Sequence, residues 1–478
     1  MQPDRTRRLA EEPIPRLLLN FSLPAIVGMM TQALYYLVDR IFIGQKIGQL
    51  GIAAMTVAFP CMLVQLAFGM LVGFGAGAVV SLRLGAGKKD EAERVLGTAT
   101  VLLILVSLVL TVAGLQVLDP LLRLFGASPD VLPLARDYLR IIVYWMLFYV
   151  VGFGLNAVIR GEGNPRIAMF TLLIGVLLNI VLAPIFIFWL DWGMKGAAAA
   201  TVLSQAVSAV WVLVYFVSGR SHLKLRLKYL RFDLPICRTI LAIGSPQFAM
   251  QMVNCLMNSL MYNQLGHYGG DQAISIWGII YAIAMVVAMP IFGINQGVQP
   301  IIGFNYGAQK FDRVKQALLT AILAASTITV FGFAVSMGFP ALMIRLFVHG
   351  EDAVAMVPLG THAMRIALAM LPLIGFQVIS ASYFQAVGKP RQAMLLMLSR
   401  QVLLMIPAVL LLPYWFGLEG FWYAMPMADL LSSVLTAVCL TMELGHLNAR
   451  HMETVARTAN LAMDEPLAFD SPIPEELP

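Results

Sequence analysis

What this chain has least of is charge. Asp, Glu, Lys and Arg make up 12% of its 478 residues, against about 25% in an ordinary soluble domain. A water-facing surface cannot be built from that supply, which excludes a soluble fold of this size. Cysteine is scarce too: Cys61, Cys237, Cys255 and Cys439 lie in or at the end of apolar stretches, so no disulfide framework is expected. No His/Cys/Asp cluster has zinc-ligand spacing, no GxxxxGK[ST] loop offers a cradle for ATP phosphates, and neither GxSxG nor HExxH occurs. The reading is therefore of a non-enzyme without a resident cofactor, in which an ATP-driven pump would need a separate subunit.

What is present is hydrophobic sequence, 59% of the chain. With about 20 apolar residues needed per crossing, twelve segments can be placed, near 17–44, 51–82, 95–118, 134–158, 167–190, 194–218, 236–265, 273–304, 315–338, 359–386, 392–415 and 420–445. The predicted class is an all-α polytopic membrane protein. The basic start (Arg5, Arg7, Arg8, Arg16) leads into a full-length span with no cleavable signal pattern. With the N-terminus inside, 24 of the 32 Lys and Arg residues fall at inner ends and loops. This predicts cytoplasmic N- and C-termini in a bacterial-type inner membrane. The net charge of +6 then reads as an insertion signal and an attraction to anionic lipid, and no nucleic-acid partner is expected.

The sequence repeats itself at a separation of 222 residues. Pro24 maps to Pro246, Gly44 to Gly266, Gly85 to Gly307, Lys88 to Lys310, Asp90 to Asp312 and Arg123 to Arg345. Past a loop the register shifts to 225, placing Arg140 on Arg365 and Pro165 on Pro390, then to 224 with Gly196 on Gly420. Parallel repeats of this kind build transporters whose substrate site lies between the halves. The expected organisation is an N-terminus over 1–16, a six-helix lobe over 17–218, a basic linker over 219–235, a second pseudo-symmetric six-helix lobe over 236–445 and a tail without regular structure over 446–478. The linker's HLKLRLKYLRF pattern suits a strand-like or interfacial segment on the inner membrane face. Prolines Pro24 and Pro246, in the first helix of each lobe, each free a carbonyl and are candidate hinges.

The costliest residue is Asp39, a carboxylate in the first segment, and intramembrane acids are functional candidates by default. Gln32, Tyr35 and Tyr36 share its helical face; the alternative is a solvated pair with Arg40. Its second-half counterpart is Met261, so the acid is not duplicated. Segment 7 instead carries Gln247, Gln251, Asn254 and Asn258 in one row, and segment 8 adds Asn295, Gln296 and Gln299; such a row suits a cavity wall, and isolated amides suit helix packing. Asn156, Asn179 and Thr201 are intramembrane polar residues that alone suit packing. Asp429 in MADLLSS is a second acid, open between a structural acceptor and a coupling site, and Glu162 in RGEGNPR reads as a loop residue.

The stretches YYLVDRIFIG (35–44), GFGAGAVVSLRLGAGKKDEAERV (73–95), IRGEGNPRIAM (159–169), LNIVLAPIFIF (178–188), WGMKGAAAAT (192–201) and MPMADLLSS (425–433) resemble the multidrug and toxic compound extrusion (MATE) family. The resemblance is to its DinF/MepA-like branch, within a superfamily that includes lipid-linked oligosaccharide flippases, and spans about residues 15–445. It implies twelve helices in two lobes, a monomer, and export of small amphipathic or cationic drug-like compounds in exchange for H⁺ or Na⁺. It also implies a first-lobe cation site at Asp39, Asn179, position 183 and Thr201. Position 183 is Ala183 here, one carboxylate fewer, which favours H⁺ over Na⁺ because a hard cation needs several oxygen ligands. A flippase for a lipid-linked precursor is the alternative, with a membrane receptor or enzyme behind it.

Overall fold

A bilayer offers an unpaired amide no water, so a chain of this composition crosses it as helices. The computed structural model describes residues 5–348 and 352–464, and among them there is no strand. A short helix α1 (Arg5–Glu11) precedes α2 (Ile14–Ile47), α3 (Gln49–Gly85), α4 (Lys89–Leu124), α5 (Val131–Tyr144), α6 (Met146–Gly161), α7 (Pro165–Pro184) with a π-helical extension Ile185–Trp189, and α8 (Gly193–Val217). The second lobe comprises α9 (Leu234–Gly307), α10 (Phe311–Gly338), the short α11 (Pro340–Arg345), α12 (Asp352–Ala367), α13 (Leu371–Ala386), α14 (Pro390–Leu398), a π-helical stretch Ser399–Met405, α15 (Ile406–Phe416) and α16 (Leu418–Asp464). α5 and α6 meet at 56° and α12 and α13 at 42°; with each pair taken as one crossing, the described residues hold eleven membrane-length elements. The 74-residue α9 is itself broken at Gly270 (φ 62°, ψ −163°), which brings the crossings to the expected twelve. Starts are capped where the sequence allows it: Asn164 Oδ1 accepts from the Ile167 amide ahead of Pro165, and Asp233 Oδ1 accepts from the Ile236 amide.

The duplication extends to the backbone. Left-handed residues recur in pairs at the repeat spacing: Gly48 with Gly270, Gly87 with Gln309, Gly163 with Gly388 and Gly193 with Gly417. Gln309 adopts this conformation (φ 59°) without glycine's freedom.

The lobes meet backbone to backbone in the half of the molecule toward the N-terminus, here termed the N-terminal face. A Cβ on Gly85 would lie 1.9 Å from the Phe304 carbonyl oxygen, and one on Gly307 would lie 2.1 Å from that of Leu82. Leu82 and Phe304 are themselves repeat mates, so α3 and the second crossing of α9 touch reciprocally across a pseudo-two-fold axis. Deeper in, a Cβ on Gly75 would meet Ile240 and one on Gly244 would stand 1.7 Å from the Leu71 carbonyl oxygen, while Gly297 packs on Ser22. Only hydrogen in place of a side chain permits this approach. α1 seals the same face: the Leu9 carbonyl accepts from Asn305 and Arg313, the Ala10 carbonyl from Lys310 and the Glu12 carbonyl from Arg313. Lys310 and Arg313 of the GAQKFDR motif thus hold the N-terminal helix.

Two expectations are corrected. The linker is not strand-like: it is irregular with one short turn of helix, Leu227–Tyr229, because buried acids capture its amides. Glu93 accepts from the Lys224 amide and ion-pairs with Arg226 at 3.0 Å; Glu162 accepts from Tyr215, Ser221 and the Leu223 amide. Leu223 is fully buried, while Leu227 and Phe232 are exposed. The tail does not lose structure at 446: α16 runs to Asp464, since 446–464 contain neither glycine nor proline and are rich in good helix formers. Residues 465–478 lie outside the described residues.

Gly244→Val should lower the melting temperature of the purified protein by several degrees, the cost of overpacking being about 1–3 kcal/mol. Gly278→Val in the same helix, where a new Cβ meets nothing within 4 Å, should leave it nearly unchanged. Equal effects would show that the close inter-lobe contact is unimportant.

Candidate functional site

The first lobe holds a partly open cavity of about 80 Å³. Its walls come from α2 (Gln32, Tyr35), α6 (Phe148, Tyr149, Phe153, Asn156), α7 (Leu172, Val176, Asn179) and α8 (Thr201, Gln205). Among the described residues, no Lys or Arg lines it. Tyr35 and Thr201 hydroxyls are 3.1 Å apart, and Asn179 Nδ2 donates to Thr201 Oγ1 at 3.3 Å. Three residues from three helices thus form one buried polar chain.

Asp39 follows Tyr35 by four residues and so shares its helix face. It is 1% exposed and its Oδ1 has no hydrogen-bond partner. Arg40 points to the exposed side, so the solvated pair weighed as the alternative does not form. Tyr138, buried with its own hydroxyl unpartnered, was not singled out from sequence. Tyr36 stacks edge-on against Phe59 at 6.1 Å and does not line the cavity. Ala183 is fully buried, leaving one carboxylate here. Among the described residues no group of three acidic, histidine or cysteine side chains could hold a metal ion. Asn156 lines the cavity with both polar ends occupied: Nδ2 donates to the Ala168 carbonyl at 2.8 Å and Oδ1 accepts from Arg160.

The second lobe departs from the expected amide wall. Gln247 and Gln299 both donate to Oε1 of the fully buried Gln385, at 3.3 Å each, and Gln385 donates to the Ile243 carbonyl at 2.9 Å. Asn254 accepts from Gln401 at 3.3 Å. These members of the row are helix-packing amides. Gln251 and Asn258 are half-buried, and Asn295 has an unpartnered buried Oδ1; none of the row lines the first-lobe cavity. Asp429 is buried and ion-paired with Arg400, while Gln377 donates to its carbonyl at 2.5 Å and to Ser432 at 2.8 Å. Arg400, one of the basic residues assigned to the inner side, is therefore an intramembrane partner rather than a topology charge. Nothing in the local sequence of either residue signals the pairing, since 29 positions separate them.

Of the two hinge prolines, each lies inside a continuous helical stretch. The carbonyl that Pro246 leaves free, that of Ala242, accepts from Ser245 Oγ at 2.8 Å.

The MatE family model matches residues 24–185 and 246–410, beginning at the two repeat-related prolines. Multidrug export protein MepA of Staphylococcus aureus (strain NCTC 8325 / PS 47) is 26% identical over 434 residues, covering 91% of this chain and 95% of that protein. Among solved structures, the MATE multidrug transporter DinF-BH is 37% identical with a TM-score of 0.85, covering 92% of this chain and 98% of its own. An outward-facing multidrug resistance MATE family transporter of the MOP superfamily has 25% identity and a TM-score of 0.86 over the same shares.

Asp429→Asn should destabilise the fold by about 3 kcal/mol by stranding Arg400, and Arg400→Met with Asp429→Leu should recover most of it. Thermal unfolding of the three variants measures this. A stable Asp429→Asn that alters only the ion dependence of transport would instead make Asp429 a coupling acid.

Proposed function

Because the chain belongs to the MatE family, we propose that this multi-pass membrane transporter exports amphipathic, largely cationic drugs by exchanging them for protons at Asp39. The observation that carries the reading is the buried carboxylate, its Oδ1 unpartnered, one helical turn from Tyr35, which lines a cavity whose polar groups are neutral. An ionised carboxylate there has no cation beside it, and its charge is offset only by a proton or a cationic guest. The two therefore compete for one acid, which is the minimal requirement of an antiporter.

The chain Asn179–Thr201–Tyr35 supports this role. When Thr201 accepts from Asn179 and donates to Tyr35, the Tyr35 hydroxyl hydrogen is free to turn toward the carboxylate. Aromatic walls (Phe148, Tyr149, Phe153) suit flat organic cations. Sodium fits less well, since one carboxylate with one hydroxyl and one amide falls short of a hard-cation shell. A cavity lined by neither Lys nor Arg among the described residues argues against a pyrophosphate-bearing lipid as the cargo.

The N-terminal face is the cytoplasmic one by its basic residues, and the lobes meet there, so the conformation is one closed to the cytoplasm. Protonation of Asp39 from outside removes a charge, lets α2 bend near Pro24 and expels the drug. Drug loading from inside releases the proton. A proton falling through 100 mV supplies about 2.3 kcal/mol, a gradient of roughly 50-fold for a neutral substrate. For a monovalent cation the charges cancel and only the pH difference drives export.

In proteoliposomes, ethidium export by the wild type should follow an imposed pH gradient, ignore an imposed potential and ignore sodium. Asp39→Asn should fold and lose the pH dependence, with export reduced by at least about tenfold, the loss of about 1.4 kcal/mol of coupling. Thr201→Ala should retain coupling with weaker efflux. Wild-type behaviour from Asp39→Asn would sink the assignment, and efflux indifferent to every gradient would sink the antiporter.

A further inference from the structure

A second cavity lies between the lobes toward the N-terminal face, with about 10 Å³ of open space, room for one small occupant. α3 supplies Phe74, Gly77 and Ser81, α6 supplies Arg160, and the second crossing of α9 supplies Gln296 and Gln299. Arg160 is 8% exposed. Its Nη1 donates to Asn156 Oδ1, and its Cζ stands 5.7 Å from the centre of the Phe74 ring. Among the described residues it has no ion pair, and the cavity has no carboxylate. Glu162, two positions on, is taken up by Tyr215, Ser221 and the Leu223 amide.

A guanidinium carries five N–H donors, and a buried charge without a counter-charge is strongly unfavourable. The other polar groups are also donors with capacity to spare. Gln296 Nε2 gives one hydrogen to Met29 Sδ at 3.1 Å, and Gln299 Nε2 gives one to Gln385 at 3.3 Å, leaving each amide a second N–H. Ser81 Oγ is committed to the Gly161 carbonyl at 2.7 Å. The repeat provides an internal control. The counterpart of Arg160 is Gln385, a neutral amide whose bonds to Gln247, Gln299 and Ile243 fill its place. The charge and the empty volume thus occur together, on one side of the pseudo-two-fold axis.

We propose that this cavity binds a single small anion of the chloride type, held by Arg160 with the free N–H groups of Gln296 and Gln299. The occupant touches both lobes, so it binds when they are closed at this face and is released as they part. It therefore favours the closed arrangement by its difference in affinity for the two.

The test is thermal unfolding of the purified full-length chain, titrated with sodium chloride against sodium gluconate at constant ionic strength. Wild type should show a saturable rise of about 2–4 °C with chloride, reproduced by bromide. Arg160→Gln should lose the response. Gln296→Glu, which supplies a carboxylate in place of the ion, should lose it too while melting in gluconate near the wild-type chloride value. Crystals grown in bromide should give an anomalous peak between Arg160 and Gln296. An equal melting temperature in both salts, a full response in Gln296→Glu, or a cavity without the peak would overturn the proposal.

Discussion

Taking a charge out of water inside a membrane is costly unless something answers it, and the packing of this protein follows from how each charge is answered. Six charged side chains are buried among the described residues: Asp39, Glu93, Arg160, Glu162, Asp429 and Glu443. Glu93 has Arg226, Asp429 has Arg400 and Glu443 has Lys389, while Glu162 has hydroxyls and an amide. These pairings fix elements distant in sequence: the linker to α4 and the α6–α7 turn, α16 to the π-helical stretch, and α16 to the α13–α14 turn. Asp39 and Arg160 have neither an ion pair nor such a set of hydrogen bonds among the described residues. Asp39 lies one helical turn from Tyr35, which lines the first-lobe cavity, and Arg160 lines the cavity between the lobes.

The duplicated architecture makes that distribution more informative. Two lobes built from one pattern share their turns, their kinks and the reciprocal contact of Gly85 with Phe304 and Gly307 with Leu82. Asp39 stands opposite Met261 and Arg160 opposite Gln385, so neither charge is duplicated. The second lobe uses Gln247, Asn254 and Gln385 to pack helices together. The first lobe keeps the Asp39 Oδ1 and the Tyr138 hydroxyl unpartnered.

Much of this was legible in the sequence, because it is written in local patterns. Apolar run lengths gave the twelve crossings, the 222-residue spacing has its counterpart in the paired left-handed residues, and a lone acid amid apolar neighbours gave Asp39. Asn179 and Thr201, which the family resemblance places with Asp39, are hydrogen-bonded in a chain to Tyr35, one turn before Asp39 on α2. The rest depends on long-range pairing, which periodicity does not encode. Gln247 looked like a cavity wall until Gln385, 138 positions away, took its amide. Asp429 could be read either way until Arg400 was placed beside it. The linker's alternating pattern suggested a strand, but alternation says nothing of the two buried acids that bind its amides. Arg160 is buried against Phe74 of α3, a contact that the local sequence around it does not signal.

The central claim is that drug and proton compete for Asp39, and proton release on binding measures it most directly. Ethidium is added to the purified protein in weak buffer, at a pH where the free protein holds the proton, and the pH change is followed with an indicator. The account predicts about one proton released per drug bound by the wild type and none by Asp39→Asn binding the same drug. Equal release from both would contradict it.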